Sequence, residues 1–125
     1  MGTEMRAGRA WVRRGPDVVT LCGSMRFFEL MLRVAAEETD AGAIVLAPFT
    51  VVPAAEQGGQ LKGQLDELHR HKIDLSDRVV VVTDESGYWG QSTCGEIAHA
   101  RQAGIPVTVR RVRGAGSAGV GGGAR

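Results

Sequence analysis

Four consecutive valines, Val79–Val82, constrain the fold of this chain more than any other feature of its sequence. Because this run is apolar on both faces, it fits the central strand of a parallel sheet that has helices packed against each side. Further strand-like segments occupy 17–22, 43–47 and 106–112, and the segments between strands have the apolar spacing of helices. Alternation of strands and helices with crossovers of this length predicts an α/β fold with right-handed connections.

The predicted helices have identifiable starts and ends. Ser24 is a natural N-cap for the first helix, and Gly42 is a natural residue just beyond its end. The apolar positions are Phe27, Leu30, Met31, Val34 and Ala35 in the first helix and Leu61, Leu65, Leu68, Ile73 and Leu75 in the second, and the third covers 92–103. The economical arrangement is a small Rossmann-like or flavodoxin-like three-layer sandwich, with four or five parallel strands in the order 2-1-3-4.

The length and composition indicate a single folded domain. The 125 residues suffice for one domain, and a hydrophobic content of 43% excludes a wholly disordered chain. We predict a flexible basic segment at 1–15, one α/β domain at 16–112 and a disordered glycine-rich tail at 113–125. No apolar run reaches the ~20 residues of a membrane helix, and two cysteines are too few for a disulfide scaffold. We therefore expect a cytoplasmic protein that does not bind a membrane.

The formal net charge of +1 conceals a segregation of charge along the chain. Residues 17–109 contain seven Lys and Arg against thirteen Asp and Glu, a net charge of −6, whereas the flanking segments contain eight against one, a net charge of +7. An acidic body disfavours general binding of nucleic acid. We interpret the basic ends as solubilising segments, with loose binding of an anion or RNA as the alternative.

In a parallel sheet of this order, ligands bind beyond the carboxyl ends of the strands where the order reverses, here between strands 1 and 3. Loops 22–26 and 83–93 are expected to line this place, with loop 48–60 as a roof. Gly23 allows a close backbone approach, and Ser24 and the first helix amides, including that of Met25, face a bound anion. Arg26 adds a charged donor for phosphate or carboxylate. The alternative is a plain strand–turn–helix in which Ser24 only caps the helix.

The second loop carries aromatic, hydroxyl and carboxyl groups in a short stretch. Tyr88 and Trp89 lie in a glycine-flanked loop, which indicates stacking on a base or sugar. Ser92 and Thr93 open the third helix and provide a second helix N-terminus for an anion. Glu96 follows one turn later. It is either a carboxylate directed at an electrophilic carbon or the capping-box partner of Ser92 or Thr93.

The histidines give no sign of a metal site. His69 and His71 lie two residues apart on one helix and point about 200° apart, so they cannot bind the same ion. No other His or Cys supplies the spacing of metal ligands in the sequence. We therefore predict no metal and no cofactor. Cys94, near a helix N-terminus, leaves a catalytic Cys–His pair as an alternative.

The motifs at 23–26 (Gly-Ser-Met-Arg) and 92–96 (Ser-Thr-Cys-Gly-Glu) resemble those of the nucleoside 2-deoxyribosyltransferase superfamily. This superfamily includes nucleoside 5′-monophosphate N-glycosidases, and the resemblance spans roughly residues 18–109. It implies that Glu96 attacks, or electrostatically stabilises, the anomeric carbon C1′ while the N-glycosidic bond breaks. It also implies that the same two loops bind the rest of the substrate.

The resemblance assigns roles to further residues. Ser24, Arg26 and Ser92 would bind the 5′-phosphate or 5′-hydroxyl, and Tyr88 or Trp89 would hold the base. An acid that assists departure of the base falls near His69 by spacing, with Asp66 one turn earlier and Asp84 as a third candidate. The resemblance also implies a homodimer.

The function expected from the sequence is cleavage of the N-glycosidic bond of a nucleoside or nucleoside 5′-monophosphate, by hydrolysis or by transfer. The partner is then a small-molecule nucleoside or nucleotide and not a specific nucleic acid. The alternative from a different class is a non-catalytic module that binds or senses a nucleotide with the same pocket.

Overall fold

The computed structural model describes residues 15–50, 53, 55 and 57–114. The flexible segment predicted at 1–15 and the glycine-rich tail predicted at 113–125 lie almost wholly outside the described residues. The strands are β1 (Val18–Cys22), β2 (Ile44–Leu46), β3 (Arg78–Thr83) and β4 (Val107–Arg111). The helices are α1 (Phe28–Asp40), α2 (Gln60–Asp74) and α3 (Gln91–Gln102), and a 3₁₀ turn at Met25–Phe27 precedes α1.

The four strands form one parallel sheet in the order β2-β1-β3-β4, which confirms the predicted order. Leu21 of β1 pairs with Val80 of β3, and Val81 of β3 pairs with Val109 of β4. Strand β3 is therefore interior, and Val79–Val82 are at most 2% exposed. The carboxyl ends of β1 and β3 lie side by side at the point where the chain order reverses.

Side chains of β3 alternate between two hydrophobic cores, one on each face of the sheet. The core under α1 contains Val19, Leu21, Leu30, Met31, Val34, Val80 and Val82, with Ala47 and Val112. The core under α2 and α3 contains Cys22, Ile73, Val79, Val81, Ile97, Ala100 and Ile105. Helices therefore cover both faces of the sheet, and the predicted α/β three-layer sandwich is confirmed.

The start and end of the first helical segment follow the sequence signals. The Ser24 hydroxyl oxygen accepts a hydrogen bond from the Arg26 backbone amide at 3.3 Å, so Ser24 caps the 3₁₀ turn that leads into α1. Gly42, beyond the end of α1, has a φ of +97°, a left-handed conformation that favours glycine. In the part of the chain that the structure describes, no helix combines the length and apolar character needed to cross a membrane.

Helix α2 has the predicted position, but its leucine stripe does not face the sheet. Leu61, Leu68 and Leu75 are 48%, 51% and 69% exposed, whereas His69 and Ile73 are 4% and 0% exposed. Consecutive helical residues lie about 100° apart around the axis. His69 and Ile73, four residues apart, share the face of α2 that packs towards β1, and His69 lies about 100° round the helix from Leu68.

Candidate functional site

A cavity of about 560 Å³ lies beyond the carboxyl ends of β1 and β3. Four parts of the chain form its wall: the loop after β1, the segment after β2, helix α2 and the start of α3. The lining residues are Gly23, Ser24, Met25, Arg26, Pro48, Thr50, Gln57, Lys62, Leu65, Asp66, His69, Gly90, Gln91, Ser92, Thr93 and Glu96. The structure thus brings both sequence motifs, and the helix that carries His69, to one cavity.

The loop after β1 is held in place by Gly23. Its φ of +149° is a conformation that residues with a side chain rarely adopt. A Cβ at this position would lie 2.5 Å from the carbonyl oxygen of Val82 and 3.1 Å from the Met31 side chain. The absence of a side chain therefore allows the loop to pass directly over the end of β3 and to place Ser24 at the cavity.

Arg26 lines the cavity and is also packed against an aromatic ring. Its guanidinium carbon lies 4.1 Å from the centroid of the Tyr88 ring, in the range of a cation–π contact. The Tyr88 ring in turn contacts Phe27 edge to face, with centroids 6.5 Å apart. This packing orients the Arg26 side chain and links the loop after β1 to the loop after β3.

Three buried side chains from three elements converge behind the cavity. They are Cys22 at the end of β1, His69 in α2 and Glu96 in α3, with 0%, 4% and 8% exposure. The distance from His69 Nε2 is 3.4 Å to the sulfur of Cys22 and 3.9 Å to Glu96 Oε1. One ligating atom from each residue lies within 4.8 Å of the other two. The spacing of these three residues in the sequence does not predict that they form a cluster.

Burial favours the neutral forms of the three ionisable groups in this cluster. Burial is the main cause that raises the pKa of Glu96 to about 7, and the charge of Asp66 acts in the same direction. The hydrogen bond to Cys22 and the charges of Lys62 and Arg70 lower this pKa, but by less. Burial, and then the charge of Lys72, lowers the pKa of His69 to about 4. The 3.9 Å separation of His69 and Glu96 is short enough for an ion pair, but these shifts leave the imidazole neutral wherever Glu96 is ionised.

The Cys22 thiol also stays protonated. Burial raises its pKa well above the ordinary value, and the charge of Glu96 and the hydrogen bond to it act in the same direction. The other ring nitrogen of the histidine, Nδ1 of His69, is buried without a hydrogen-bond partner among the described residues. The backbone of Leu21 raises the pKa of this imidazole, against the larger lowering by burial.

Glu96 is not a capping-box residue. Helix α3 begins after Gly90, and no side chain caps it by a hydrogen bond. The Ser92 hydroxyl accepts a hydrogen bond from Lys62 Nζ at 3.0 Å, and Thr93 is 2% exposed. Glu96 instead faces Cys22 and His69, so the capping interpretation of this carboxylate is wrong.

Tyr88 and Trp89 do not line the cavity. Tyr88 is 42% exposed and lies against Arg26, outside the cavity wall. Trp89 packs against the core under α2 and α3. The structure therefore brings Ser24, Arg26 and Glu96 together but leaves both aromatic residues to the side.

The two alternative acids differ in position. Asp66 lines the cavity, and both of its carboxylate oxygens accept hydrogen bonds from Lys62 Nζ at 2.7 Å. Asp84 is absent from the wall of this cavity and instead accepts hydrogen bonds from the Ser86 amide and hydroxyl. Because Ser86 lies two residues further along the same loop, these hydrogen bonds stabilise the turn after β3.

Sequence reasoning missed Lys62. This residue lines the cavity and joins Asp66 to Ser92, so it connects α2 to the start of α3. The available signal is the spacing of Lys62 and Asp66, four residues apart on a helix, which is typical of a side-chain ion pair. That spacing alone does not indicate contact with a second helix.

No model of a known protein family matches this chain, and no curated protein matches it. An assignment of activity therefore depends on the geometry and electrostatics of the cavity itself.

Proposed function

We propose that this protein cleaves the N-glycosidic bond of a nucleoside or nucleoside 5′-monophosphate, with Glu96 acting on the anomeric carbon. The observation that carries the proposal is a buried carboxyl group on the wall of a cavity that also presents hydroxyl and cationic donors. A carboxylate in such surroundings stabilises a developing oxocarbenium ion strongly, because little water screens it. The resemblance of the two sequence motifs points to the same chemistry.

Glu96 has the protonation behaviour that this chemistry requires. Its pKa of about 7 means that near neutral pH a substantial fraction is ionised and able to attack C1′. Attack forms a bond between a Glu96 oxygen and C1′ and breaks the bond from C1′ to the base, which leaves with the bonding electron pair. Water then releases the sugar in a hydrolase, or a second base accepts it in a transferase.

Two groups on the cavity wall are candidates for delivering a proton to the departing base. His69 is adjacent to Glu96, but its pKa of about 4 leaves few protonated imidazoles at neutral pH. Asp66 lies one helical turn earlier and is held by Lys62. The variants His69→Gln and Asp66→Asn separate the two, because only loss of the proton donor lowers the rate more for poor leaving bases than for good ones.

The cavity wall also has the donors that a 5′-hydroxyl or 5′-phosphate needs. Ser24, Arg26 and Ser92 are together on its wall, and Lys62 adds a second cation. The first turn of α3 has no side-chain cap, so its backbone N–H groups carry the positive end of the helix dipole towards the cavity. These local donors counter the long-range repulsion of a phosphate by a body with a net charge of −6.

The test is release of free base from a panel of nucleosides and nucleoside 5′-monophosphates, measured by chromatography. Glu96→Gln should lower the rate by at least about 1,000-fold and leave substrate binding nearly unchanged. Glu67→Gln is the matched control, because this exposed carboxylate on α2 lies outside the cavity wall. Absence of base release by the wild-type protein across the whole panel would overturn the proposal.

The second candidate is a non-catalytic module that binds or senses a nucleotide. The pKa of His69 favours it, because at about 4 this residue next to Glu96 is almost wholly unprotonated at neutral pH and supplies no proton to a leaving base. Nucleotide binding by calorimetry without base release would support this candidate over the glycosidase.

A further inference from the structure

We propose that Cys22, His69 and Glu96 together bind a divalent ion of the zinc class, and that the bound ion switches off Glu96 as a nucleophile. The first part depends only on the cluster itself. The second part rests on the proposed glycosidase function. Among the described residues, no other group of three or more His, Cys, Asp or Glu side chains brings its ligand atoms together in this way.

Two of the separations between the three atoms are close to those of a tetrahedral zinc site, and all three are within 4.8 Å. With Zn–S of about 2.3 Å and Zn–N and Zn–O of about 2.0–2.1 Å, tetrahedral angles place sulfur about 3.6 Å from nitrogen and nitrogen about 3.4 Å from oxygen. The corresponding distances here are 3.4 Å from Cys22 to His69 and 3.9 Å from His69 to Glu96. Shifts of up to about 0.5 Å therefore bring these two separations to the values of a zinc site.

The chemistry of the donors selects the ion. A thiolate, an imidazole and a carboxylate form a mixed S, N and O set, which zinc and its neighbours in the first transition row accept. Magnesium and calcium require oxygen ligands almost exclusively, so this set disfavours them. Binding releases the thiol proton of Cys22, and that of Glu96 where it is protonated, to solvent. The site then holds two anionic ligands against an ion of charge +2, which is neutral overall and compatible with burial.

The surroundings also bear on such a site. Nε2 of His69 is the ring nitrogen that faces the other two donors, and its Nδ1 is buried with no hydrogen-bond partner among the described residues. His69 and Glu96 also line the cavity, so the fourth coordination position opens towards it and can take a water molecule. Asp66, one helical turn from His69, adds a negative charge nearby, which raises the pKa of both His69 and Glu96.

The consequence for activity follows from the shared carboxylate. An ion bound to one oxygen of Glu96 neutralises the charge of the carboxylate, which leaves Glu96 a much weaker nucleophile towards C1′. Substrate and ion therefore compete for one residue, and removal of the ion should activate the enzyme. This predicts inhibition by zinc that a chelator reverses.

The test starts from full-length protein freed of metal by a chelator that is then removed by dialysis. Zinc chloride should bind with one ion per chain in calorimetry. Cobalt(II) chloride should give the visible bands of a tetrahedral ion and the near-ultraviolet charge-transfer band of a cobalt–thiolate bond. Cys22→Ser should weaken zinc binding by more than about 100-fold, since even residues that only orient a ligand contribute about 10–100-fold.

Cys94→Ser is the matched control, because this cysteine lies on the same face of the sheet but is exposed. It should leave zinc affinity and the cobalt spectrum unchanged. If Cys22→Ser does not fold, Glu96→Gln serves as the second variant, and the thiolate band of the wild-type protein identifies the ligand directly. Failure of the wild-type protein to bind zinc, a cobalt spectrum without the thiolate band, or equal weakening by the control variant would overturn the site.

Activity measurements separate this proposal from the previous one. Zinc binding without base release by the metal-free protein would support the site and count against the glycosidase. Base release that zinc does not inhibit, in protein shown to have bound the ion, would overturn the switch.

Discussion

Ionisable side chains at the two ends of the parallel sheet lie in opposite environments. At the amino ends, Arg78 donates hydrogen bonds to Glu38 at 2.7 Å and to Asp17 at 3.0 Å, near the surface. At the carboxyl ends, Glu96 and His69 are buried 3.9 Å apart, and burial outweighs the nearby charges that favour their ionised forms. Paired surface charges contribute to stability, whereas buried groups with displaced pKa values are typical of functional sites.

Two glutamates show the contrast in one residue type. The hydrogen bond from Arg78 is the main cause that lowers the pKa of Glu38. Burial is the main cause that raises the pKa of Glu96 to about 7. The hydrogen bond to Arg78 therefore determines the pKa of Glu38, whereas loss of contact with water determines the pKa of Glu96. Folding therefore favours the ionised form of Glu38 and the protonated form of Glu96.

The largest expected effect on the free energy of unfolding comes from the loop after β1, at the carboxyl ends of the strands. Gly23→Ala should destabilise the protein by about 4 kcal/mol, because a strained φ costs about 1–3 kcal/mol and a clash in a packed site costs a further 1–3 kcal/mol or so. The control is Gly63→Ala in α2, where an added Cβ meets nothing within 4 Å. It should stabilise the protein by up to about 1 kcal/mol. Urea unfolding measures both, and equal effects would show that the loop after β1 is not held by close approach.

The next effect concerns how stability depends on pH at the carboxyl end. The folded pKa of Glu96, about 7, lies above its ordinary value of 4.5, so stability is lost as pH rises between these values. The folded pKa of His69, about 4, lies below its ordinary value of 6.5, so stability is lost as pH falls between these values. The two trends oppose each other between pH 4.5 and 6.5, and the wild-type protein should show little net change there.

Single substitutions should uncover each trend. Glu96→Gln should become less stable on acidification from pH 6.5 towards 4, and His69→Gln should become less stable as pH rises from 4.5 towards 7. Each change should reach at most about 3.5 kcal/mol, from about 1.4 kcal/mol per pH unit across the interval between the ordinary and the folded pKa. Chemical unfolding at several pH values, with a chelator present, gives the slopes. Parallel pH profiles for both variants would show that burial does not set these pKa values.

The fold could be predicted from the sequence because its signals are local or repeated. A run such as Val79–Val82, without polar alternation, has one stable environment, the interior of a covered parallel sheet. Ser24 and Gly42 mark a helix start and a helix end through backbone chemistry that does not depend on the rest of the chain. Once the central strand and the crossovers are placed, few strand orders remain.

The cluster behind the cavity could not be predicted, because it depends on the rotation of a helix. Cys22 and His69 are 47 residues apart in sequence. The leucine spacing of α2 favours a different face, and packing of Ile73, with the hydrogen bond from the Thr20 hydroxyl to the Lys72 carbonyl, turns His69 inwards. Similarly, the large apolar ring of Trp89 packs into the core instead of lining the cavity.

The smallest expected effect lies at the amino end of the sheet. Glu38→Gln should cost about 1 kcal/mol at neutral pH, the upper range for a surface ion pair, because Glu38 is 15% exposed and bonded through both oxygens. Since the folded pKa of Glu38 is lowered, this contribution is present above its ordinary value of 4.5 and is lost as pH falls through the folded value. High salt should also shrink it, because charges near the surface are screened. Glu29→Gln on the same helix, where no ion pair is found among the described residues, should change stability less. A loss for Glu38→Gln that persists in acid and in high salt would mean that packing of the side chain, and not its charge, stabilises this end of the sheet.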